Sequence, residues 1–443
     1  MQSSDPRTAE FNVVPESADV AIIGGGIIGA CTALFLAKKG VSVVLFEKGT
    51  AGEEQSTRNL GWVRKMGRDP REIPLMLRSM QNWDELERTI EAATGFHRCG
   101  ITYFLAAESD AARYQPWLKA VAEFGLDTRM LNAAEASRLA PNAAHPIAGA
   151  LHTPSDGCAE PHIVTMSILH GARKFGAKVV QACAVRGLET SGGKVSEVVT
   201  EKGRTRCNAV VLAGGSWSTF FCRSLGIYLP QLKLQSQFAR TRPITGGPTG
   251  CGSGPGYAYR QRLDGGYGLY IRSQYPVQIT PDSFRFARQY LPTLRHEWRN
   301  LKYGIGRQTW NELLIPSKWD LDKRTVFEDV RTLRPVGNGK IVARGIANIR
   351  KAYPGMSEIV INENVSGWLD VSPDAIPVIS GVDRLPGFFI ASSFSGHGFG
   401  IAPGAGELMA QIVMGETPFT DITPFRHSRF IDGSPIEHWP TSF

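Results

Sequence analysis

A chain of 443 residues carries enough core for about two or three domains, and its 42% hydrophobic and 20% charged residues exclude a disordered or collagen-like protein. A formal charge of +8 is modest over this length and reads as a solvated surface, so no nucleic-acid partner is expected. No window approaches the about eighteen uninterrupted apolar residues of a membrane span. The seven cysteines (Cys31, Cys99, Cys158, Cys183, Cys207, Cys222 and Cys251) are odd in number and show no C-x-x-C. They predict neither a zinc site nor a disulfide framework, and they point to the cytoplasm.

Residues 1–17 are polar and read as a loose leader without the apolar core of a signal peptide. From Asp19 to Glu47 the chain reads strand, glycine turn, helix, strand, acid. Val20–Ile23 is a short buried strand. Gly24, Gly26 and Gly29 form G-x-G-x-x-G and open an apolar helix, through Ile27 and Ile28, that Gly40 stops. This is the order a dinucleotide needs. Gly24 makes the tight turn, Gly26 admits the pyrophosphate, and Gly29 lets helix and strand pack closely. The helix N-terminus offers free N–H groups to the phosphates. Glu47 can accept both ribose hydroxyls and would repel a 2′-phosphate, which argues against NADP. FAD and NAD share this adenosine half, so the stretch does not choose between them.

Lys48 and the loop Gln55, Ser56, Thr57, Arg58, Asn59, then Gly61 and Trp62, suit a second contact to a pyrophosphate or serve as a capped loop. Residues 71–92 have helical apolar spacing, and 111–139 read as an alanine-rich helical stretch between strands at 100–105 and 147–151. A helix over 162–175 leads to a strand at 178–184, a glycine hairpin at 191–193 and a buried strand at 208–213. Ala213, Gly214 and Trp217 follow that last strand and return the chain to the first sheet. Between about 229 and 344 aromatics and arginines alternate, with Tyr257, Tyr259, Arg260, Tyr267, Tyr270 and Arg272 close together. The pattern is an antiparallel sheet with a basic amphipathic helical insertion over 282–314, read as a solvated rim.

The C-terminal part carries a second informative stretch, FSGHGFGIAPGAGE. Gly396, His397, Gly398, Phe399 and Gly400 precede a helix beginning near Ile401, with Pro403 tolerated in its first turn. A nicotinamide enzyme has no use for a second anion-receptive helix start. The N1–O2 edge of a reduced isoalloxazine does, because N–H groups there stabilise its negative charge. FAD is the expected cofactor.

The pieces IIGGGIIG, Glu47, LAGGSWS, the Pro373-Asp374-x-x-Pro377 turn and SGHGFGIAPGAG resemble the D-amino acid oxidase and glycine oxidase superfamily of FAD enzymes. AGEEQSTR, CAVRGLET with VVTEKG, and YRQRLDGGY make the chain most similar to the bacterial L-amino acid deaminases and L-amino acid oxidases. The resemblance runs from about Ala18 to Phe430. It implies an α/β fold: a discontinuous Rossmann-like FAD-binding domain (18–95, 150–228 and 345–430) plus an antiparallel-sheet substrate domain (96–149 and 229–344) with a helical insertion. It also implies that Ser56, Thr57 and Arg58 contact the FAD phosphates, that the Val185 backbone meets adenine, and that 396–401 face the flavin O2 edge. Arg260, beside Tyr259, matches the arginine that takes the substrate carboxylate. Two features depart from the deaminases: this sequence lacks their N-terminal hydrophobic helix, and His397 stands where they carry a tryptophan. Gly367 falls where sarcosine oxidases link flavin through cysteine, so the FAD is expected to be non-covalent.

The expected reaction is oxidative deamination of an L-amino acid by hydride transfer from Cα to flavin N5, giving an imine and then a 2-oxo acid and ammonia. The anchor is Arg260, with Arg350 and Arg331 in reserve, because a guanidinium fork binds a carboxylate through two parallel hydrogen bonds, and Tyr259 and His397 are the other catalytic candidates. Oxygen or a quinone is the expected electron acceptor, and a homo-oligomer is compatible with the sequence. The alternatives are a secondary-amine, opine or glycine-type oxidase, or an electron-transferring subunit of the same superfamily.

Overall fold

The computed structural model describes residues 13–270 and 275–439, so Arg272 and most of the N-terminal leader lie outside it. Among the described residues 13–17, Ser17 bridges to Arg206 and the Pro15 carbonyl accepts from Thr205.

Short runs of β-branched and aliphatic residues without polar interruption build a six-stranded sheet buried on both faces. Its order is Val378–Gly381, Phe388–Ser392, Ala209–Leu212, Val20–Ile23, Val43–Phe46 and Lys178–Val180. All neighbours run parallel except the Val378–Gly381 edge strand, which pairs antiparallel with Phe388–Ser392. The helices Ile27–Lys38, Ile73–Ile90, Pro161–Lys174 and Gly398–Met414 join one apolar core against this sheet. A three-stranded meander, Val185–Ser191, Lys194–Thr200 and Gly203–Arg206, belongs to the second core on its other side.

An eight-stranded sheet follows the order Ile361–Val371, Leu232–Thr241, Tyr267–Tyr270, Tyr257–Gln261, Cys251–Gly254, Ile101–Leu105, Gly149–Thr153 and Arg129–Asn132. Two expected boundaries move. Gly149–Thr153, whose last four residues were assigned to the cofactor domain, pairs with Ile101–Leu105 in this second sheet. The strand Ile361–Val371 pairs along its length with Leu232–Thr241, so residues assigned to the cofactor domain supply an edge of this second sheet. The alanine-rich stretch is not one helix either. It breaks into 3-10 turns, the short helix Gln115–Ala120, the strand Arg129–Asn132 and the helix Ala133–Leu139. The strand forms because a sheet edge offers its backbone partners, which outweighs helix propensity.

The basic insertion is likewise broken, into helices Pro281–Arg285, Ala287–Glu297 and Arg307–Leu313. A strand Leu301–Gly304 interrupts it and pairs in parallel with Tyr275–Gln278. It exposes Phe284, Leu291, Trp298, Ile305, Trp310 and Leu314. No helix among the described residues is long and apolar enough to cross a membrane. The cysteines, scattered in sequence, do not all stay apart: Cys99 lies beside both Cys158 and Cys251.

One close approach positions the functional region. A Cβ on Gly406 would lie 2.5 Å from Cys31 Cβ and 2.6 Å from its carbonyl carbon, so helix Gly398–Met414 presses directly on Ile27–Lys38. The neighbouring helix fixes the first turn, since Ser79 Oγ and Trp83 Nε1 both donate to the Gly400 carbonyl at 2.8 Å. Alanine at 406 would gain about 1 kcal/mol of helix propensity, but the obstacle is backbone and overpacking costs about 1–3 kcal/mol. Gly406→Ala should therefore lower the urea unfolding midpoint; an unchanged or raised midpoint would show that the two helices can part freely.

Candidate active site

Three cavities of about 830, 610 and 1020 Å³ lie end to end. The first and second share Gly26, Gln55, Ser56 and Ala213. The second and third share Arg58, Asn59, Leu369, Gly396 and Phe399. Together they form one slot, running from the carboxyl ends of the parallel strands to the face of the second sheet.

The inner two-thirds of the slot is shaped for a dinucleotide. Gly24 adopts φ +112°, and a Cβ there would sit 2.4 Å from the Ala213 carbonyl oxygen. Gly29 serves packing, since its Cβ would meet the Gly24 carbonyl at 2.1 Å. The first intrahelical bond runs from Ala30 N–H to the Gly26 carbonyl, 2.9 Å, so the preceding N–H groups are available at the helix mouth. Ser56 Oγ already accepts one of them, from Ile27, at 2.8 Å.

Glu47 accepts from the Gly25 and Gly49 N–H groups, each at 2.7 Å, and burial pushes its carboxyl upward. Lys48 Nζ lies 3.9 Å over the Trp217 ring, and burial pulls its ammonium down to about 8. Val185 and Gly214 complete this end as expected, and the sequence reading missed Phe327 opposite them. The second helix mouth brings Gly396, Gly398 and Phe399 to the middle cavity. There Asp370, also missed, accepts from Ser393 N–H at 2.8 Å, and burial raises its carboxyl. Two helix N-termini, a hydroxyl-bearing loop and a ribose-side carboxylate fit a flavin dinucleotide. Thr57 and Ile401 stand back from the slot: the Thr57 hydroxyl turns to the Glu53 and Glu54 carbonyls, and Ile401 is fully buried in the core.

The outer cavity carries Gly61, Trp62, Arg64, Arg68, Tyr103, Phe238, Tyr270, Tyr275 and His397. His397 Nδ1 lies 3.4 Å from Glu72 Oε1 and 3.4 Å from Arg68, whose guanidinium also donates to the His397 carbonyl at 3.0 Å. Glu72 is completely buried, with Arg68 3.7 Å from it. Burial alone would raise the Glu72 carboxyl, but His397, Arg68 and Arg64 outweigh it and hold the group below its ordinary range. Burial lowers Arg68 to about 10. His397 Nε2 is buried with no protein hydrogen-bond partner. Arg64 donates to the Met66 carbonyl and makes no ion pair among the described residues. The Tyr270 hydroxyl donates to that of Tyr275 at 2.7 Å.

Arg260 does not take the place expected of it. Its two terminal nitrogens bind the Glu160 carboxylate at 2.8 and 2.9 Å, both side chains are buried, and it lines none of the three cavities. A guanidinium closed on a buried carboxylate and lining none of the three cavities is not presented to a substrate. Tyr259 also corrects away from catalysis, because its ring packs among Tyr257, Tyr267 and Tyr353 behind the strand. Of the reserves, Arg331 is paired with Glu201 at the inner end of the slot, and Arg350 donates to the Ile359 carbonyl away from it. Arg64 and Arg68 had no sequence signal beyond following the Ser-Thr-Arg loop. Only the fold brings them to the cavity that His397 lines, where Arg68 contacts it.

The family model for FAD dependent oxidoreductases, DAO, matches residues 19–412. The chain belongs to this family. FAD is therefore its cofactor, and the slot is where it fits. The fold is similar to an L-amino acid deaminase from Proteus myxofaciens, solved in complex with anthranilate, with TM-score 0.91, 33% identity and 94% of each chain covered. It is similar also to the Proteus vulgaris deaminase, with TM-score 0.90 and 28% identity, covering 94% of this chain and 98% of that one. A mitochondrial sarcosine dehydrogenase of Mus musculus is 23% identical over 94% of this chain, which spans only 42% of that longer protein.

If the Arg260–Glu160 pair is structural, Arg260→Met leaves a buried uncompensated carboxylate and should cost about 3–5 kcal/mol. The double variant Arg260→Met/Glu160→Gln should recover most of that loss in urea denaturation. Full stability in the single variant, together with lost turnover, would return Arg260 to the reaction.

Proposed function

We propose that this protein oxidises the α-amine of an L-amino acid, giving an imine that water hydrolyses to a 2-oxo acid and ammonia. The observation that carries the reading is Arg64: it lines the outer cavity and has no carboxylate partner among the described residues, whereas Arg68 faces Glu72, Arg260 faces Glu160, and Arg58, which also lines the cavity, donates to the Leu333 and Ser366 carbonyls. The likeness to the two Proteus deaminases supports an amino acid with a free carboxylate as substrate.

Arg64 offers the substrate carboxylate a planar pair of donors, which fixes Cα and its hydrogen in one orientation. Bound FAD supplies the two-electron acceptor for the hydride leaving Cα. Glu72 beside Nδ1 draws the ring proton there, against the Arg68 donor that faces the same nitrogen, leaving the Nε2 lone pair without a protein partner. Nε2 then receives the proton that the substrate ammonium must lose before its nitrogen can conjugate with the developing carbocation. Phe238, Leu369, Phe399 and Tyr103 form apolar walls that exclude water and strengthen both contacts.

A second reading, oxidation of an N-methylated glycine, has its support in the sarcosine and dimethylglycine dehydrogenases among the relatives. It uses the same carboxylate anchor, so it differs in the amine and not in Arg64.

Arg64→Ala should lower kcat/KM by about 30- to several-thousand-fold, the equivalent of about 2–5 kcal/mol for a desolvated charge pair. Bound flavin and its spectrum should stay normal, and Arg64→Lys should recover little because a point charge lacks the fork. Unchanged kcat/KM in Arg64→Ala would remove the anchor from this site. His397→Leu should displace the rise of kcat/KM with pH toward the substrate amine's own ionisation; an unmoved profile would show that Nε2 takes no proton.

A further inference from the structure

Outside the slot, three cysteines and a histidine from distant parts of the chain converge under the face of the second sheet. Cys99 Sγ lies 3.7 Å from Cys158 Sγ and 3.6 Å from Cys251 Sγ, and Cys158 Sγ lies 3.6 Å from His97 Nε2. The ligand atoms of His97, Cys99 and Cys158 all fall within 4.8 Å of one another. We propose that His97, Cys99, Cys158 and Cys251 form a structural site for a tetrahedral, borderline-soft divalent cation, zinc by its chemistry.

The three close distances match tetrahedron edges, while Cys251, outside the group whose ligand atoms all lie within 4.8 Å of one another, has to draw in to complete the figure. With Zn–S about 2.3 Å and Zn–N about 2.0–2.1 Å, a regular site has S···S edges of about 3.8 Å and S···N edges of about 3.6 Å. A disulfide needs sulfurs about 2.05 Å apart and would use two of these three, leaving the third and the imidazole unexplained. Thiols packed merely as small apolar groups give no reason for an imidazole nitrogen to end on one of them. The other cysteines, Cys31, Cys183, Cys207 and Cys222, are buried and free without such an arrangement.

The surroundings suit the charge as well. Three thiolates, a neutral imidazole and a dication leave one net negative charge. Arg260 stands opposite Cys251 in the strand register, and its Nε is buried without a partner although its two terminal nitrogens hold Glu160. A metal–thiolate centre commonly takes such an outer donor at sulfur. Cys158 and Cys251 are buried, while His97 is exposed and Cys99 half-buried, so a cation has a way in from that side.

With Cys251 drawn in as the fourth protein ligand the coordination sphere would close, which makes the site structural and not catalytic. It would clamp the short strand Gly157–Cys158, which carries His97 on one edge and Trp62 on the other, to strand Cys251–Gly254 of the large sheet. Trp62 is a wall of the substrate cavity, and Glu160 lies two residues beyond Cys158. The cation would thus fix the floor on which the substrate end of the slot stands. The spacing of these residues along the chain shows none of this, because the four ligands span 155 residues with no C-x-x-C.

The test is elemental analysis of the FAD-loaded full chain after dialysis in metal-free buffer, with cobalt(II) exchanged for zinc in a second sample. The site predicts about one zinc per chain, lost in both Cys99→Ser and His97→Ala, with a thiolate-to-cobalt charge-transfer band in the exchanged protein. His97→Ala is the variant to rely on if Cys99→Ser does not fold, since His97 is exposed. Three outcomes would overturn the proposal: no zinc with all seven thiols titratable after unfolding, a disulfide involving Cys99, or zinc that both variants retain. Iron with acid-labile sulfide would overturn it equally.

Discussion

Two helices that start far apart in the sequence, at Gly26 and at His397, open onto one slot because their flanks meet where Gly406 presses on Cys31. That contact brings the N–H groups of two helix mouths to the middle cavity of the slot. Everything else around the cofactor is arranged about it. The Ser56 loop closes one side, Glu47 caps the far end, and the Gly400 carbonyl is tied to Ser79 and Trp83 so the second mouth cannot tilt. Helix dipoles and exposed N–H groups give the slot positive potential without a single titratable group having to change state.

At the substrate end the deciding factor is which arginine is left over. Burying a guanidinium without a partner is costly, so a buried arginine ordinarily sits on a carboxylate. Arg260 has Glu160 and Arg68 has Glu72. Arg64 has only a carbonyl among the described residues and faces an open cavity. Glu72 links this charge economy to His397, since the same carboxylate that sits near Arg68 also lies beside the imidazole Nδ1. The histidine is thereby oriented by a group that touches neither cofactor nor substrate.

The inner half of the slot was legible in the sequence because its requirements are local. G-x-G-x-x-G, the acid at Glu47 and the glycines at 396–400 each act within one turn of backbone, and the structure gathers them along one slot. The outer half was not legible. Arg260 has the right neighbours and the right strand, but its partner Glu160 is 100 residues away in sequence, and only the fold closes the pair. Arg64, Arg68 and Glu72 lie in a stretch without a motif and acquire meaning from His397, 329 residues beyond Arg68. The strand Ile361–Val371 was misplaced for a similar reason, since its sheet is decided by pairing with Leu232–Thr241 and not by its own composition.

The account rests on an amine being oxidised while its carboxylate is held, and anaerobic reduction of the bound flavin tests that directly. Mixed without oxygen, L-amino acids should bleach the flavin absorbance, while their D-enantiomers and the corresponding amines lacking a carboxylate should leave it unchanged. Rapid bleaching by sarcosine with none by L-amino acids would transfer the site to N-methylated glycines. Bleaching by simple amines as fast as by amino acids, or none by any of these compounds, would contradict the account.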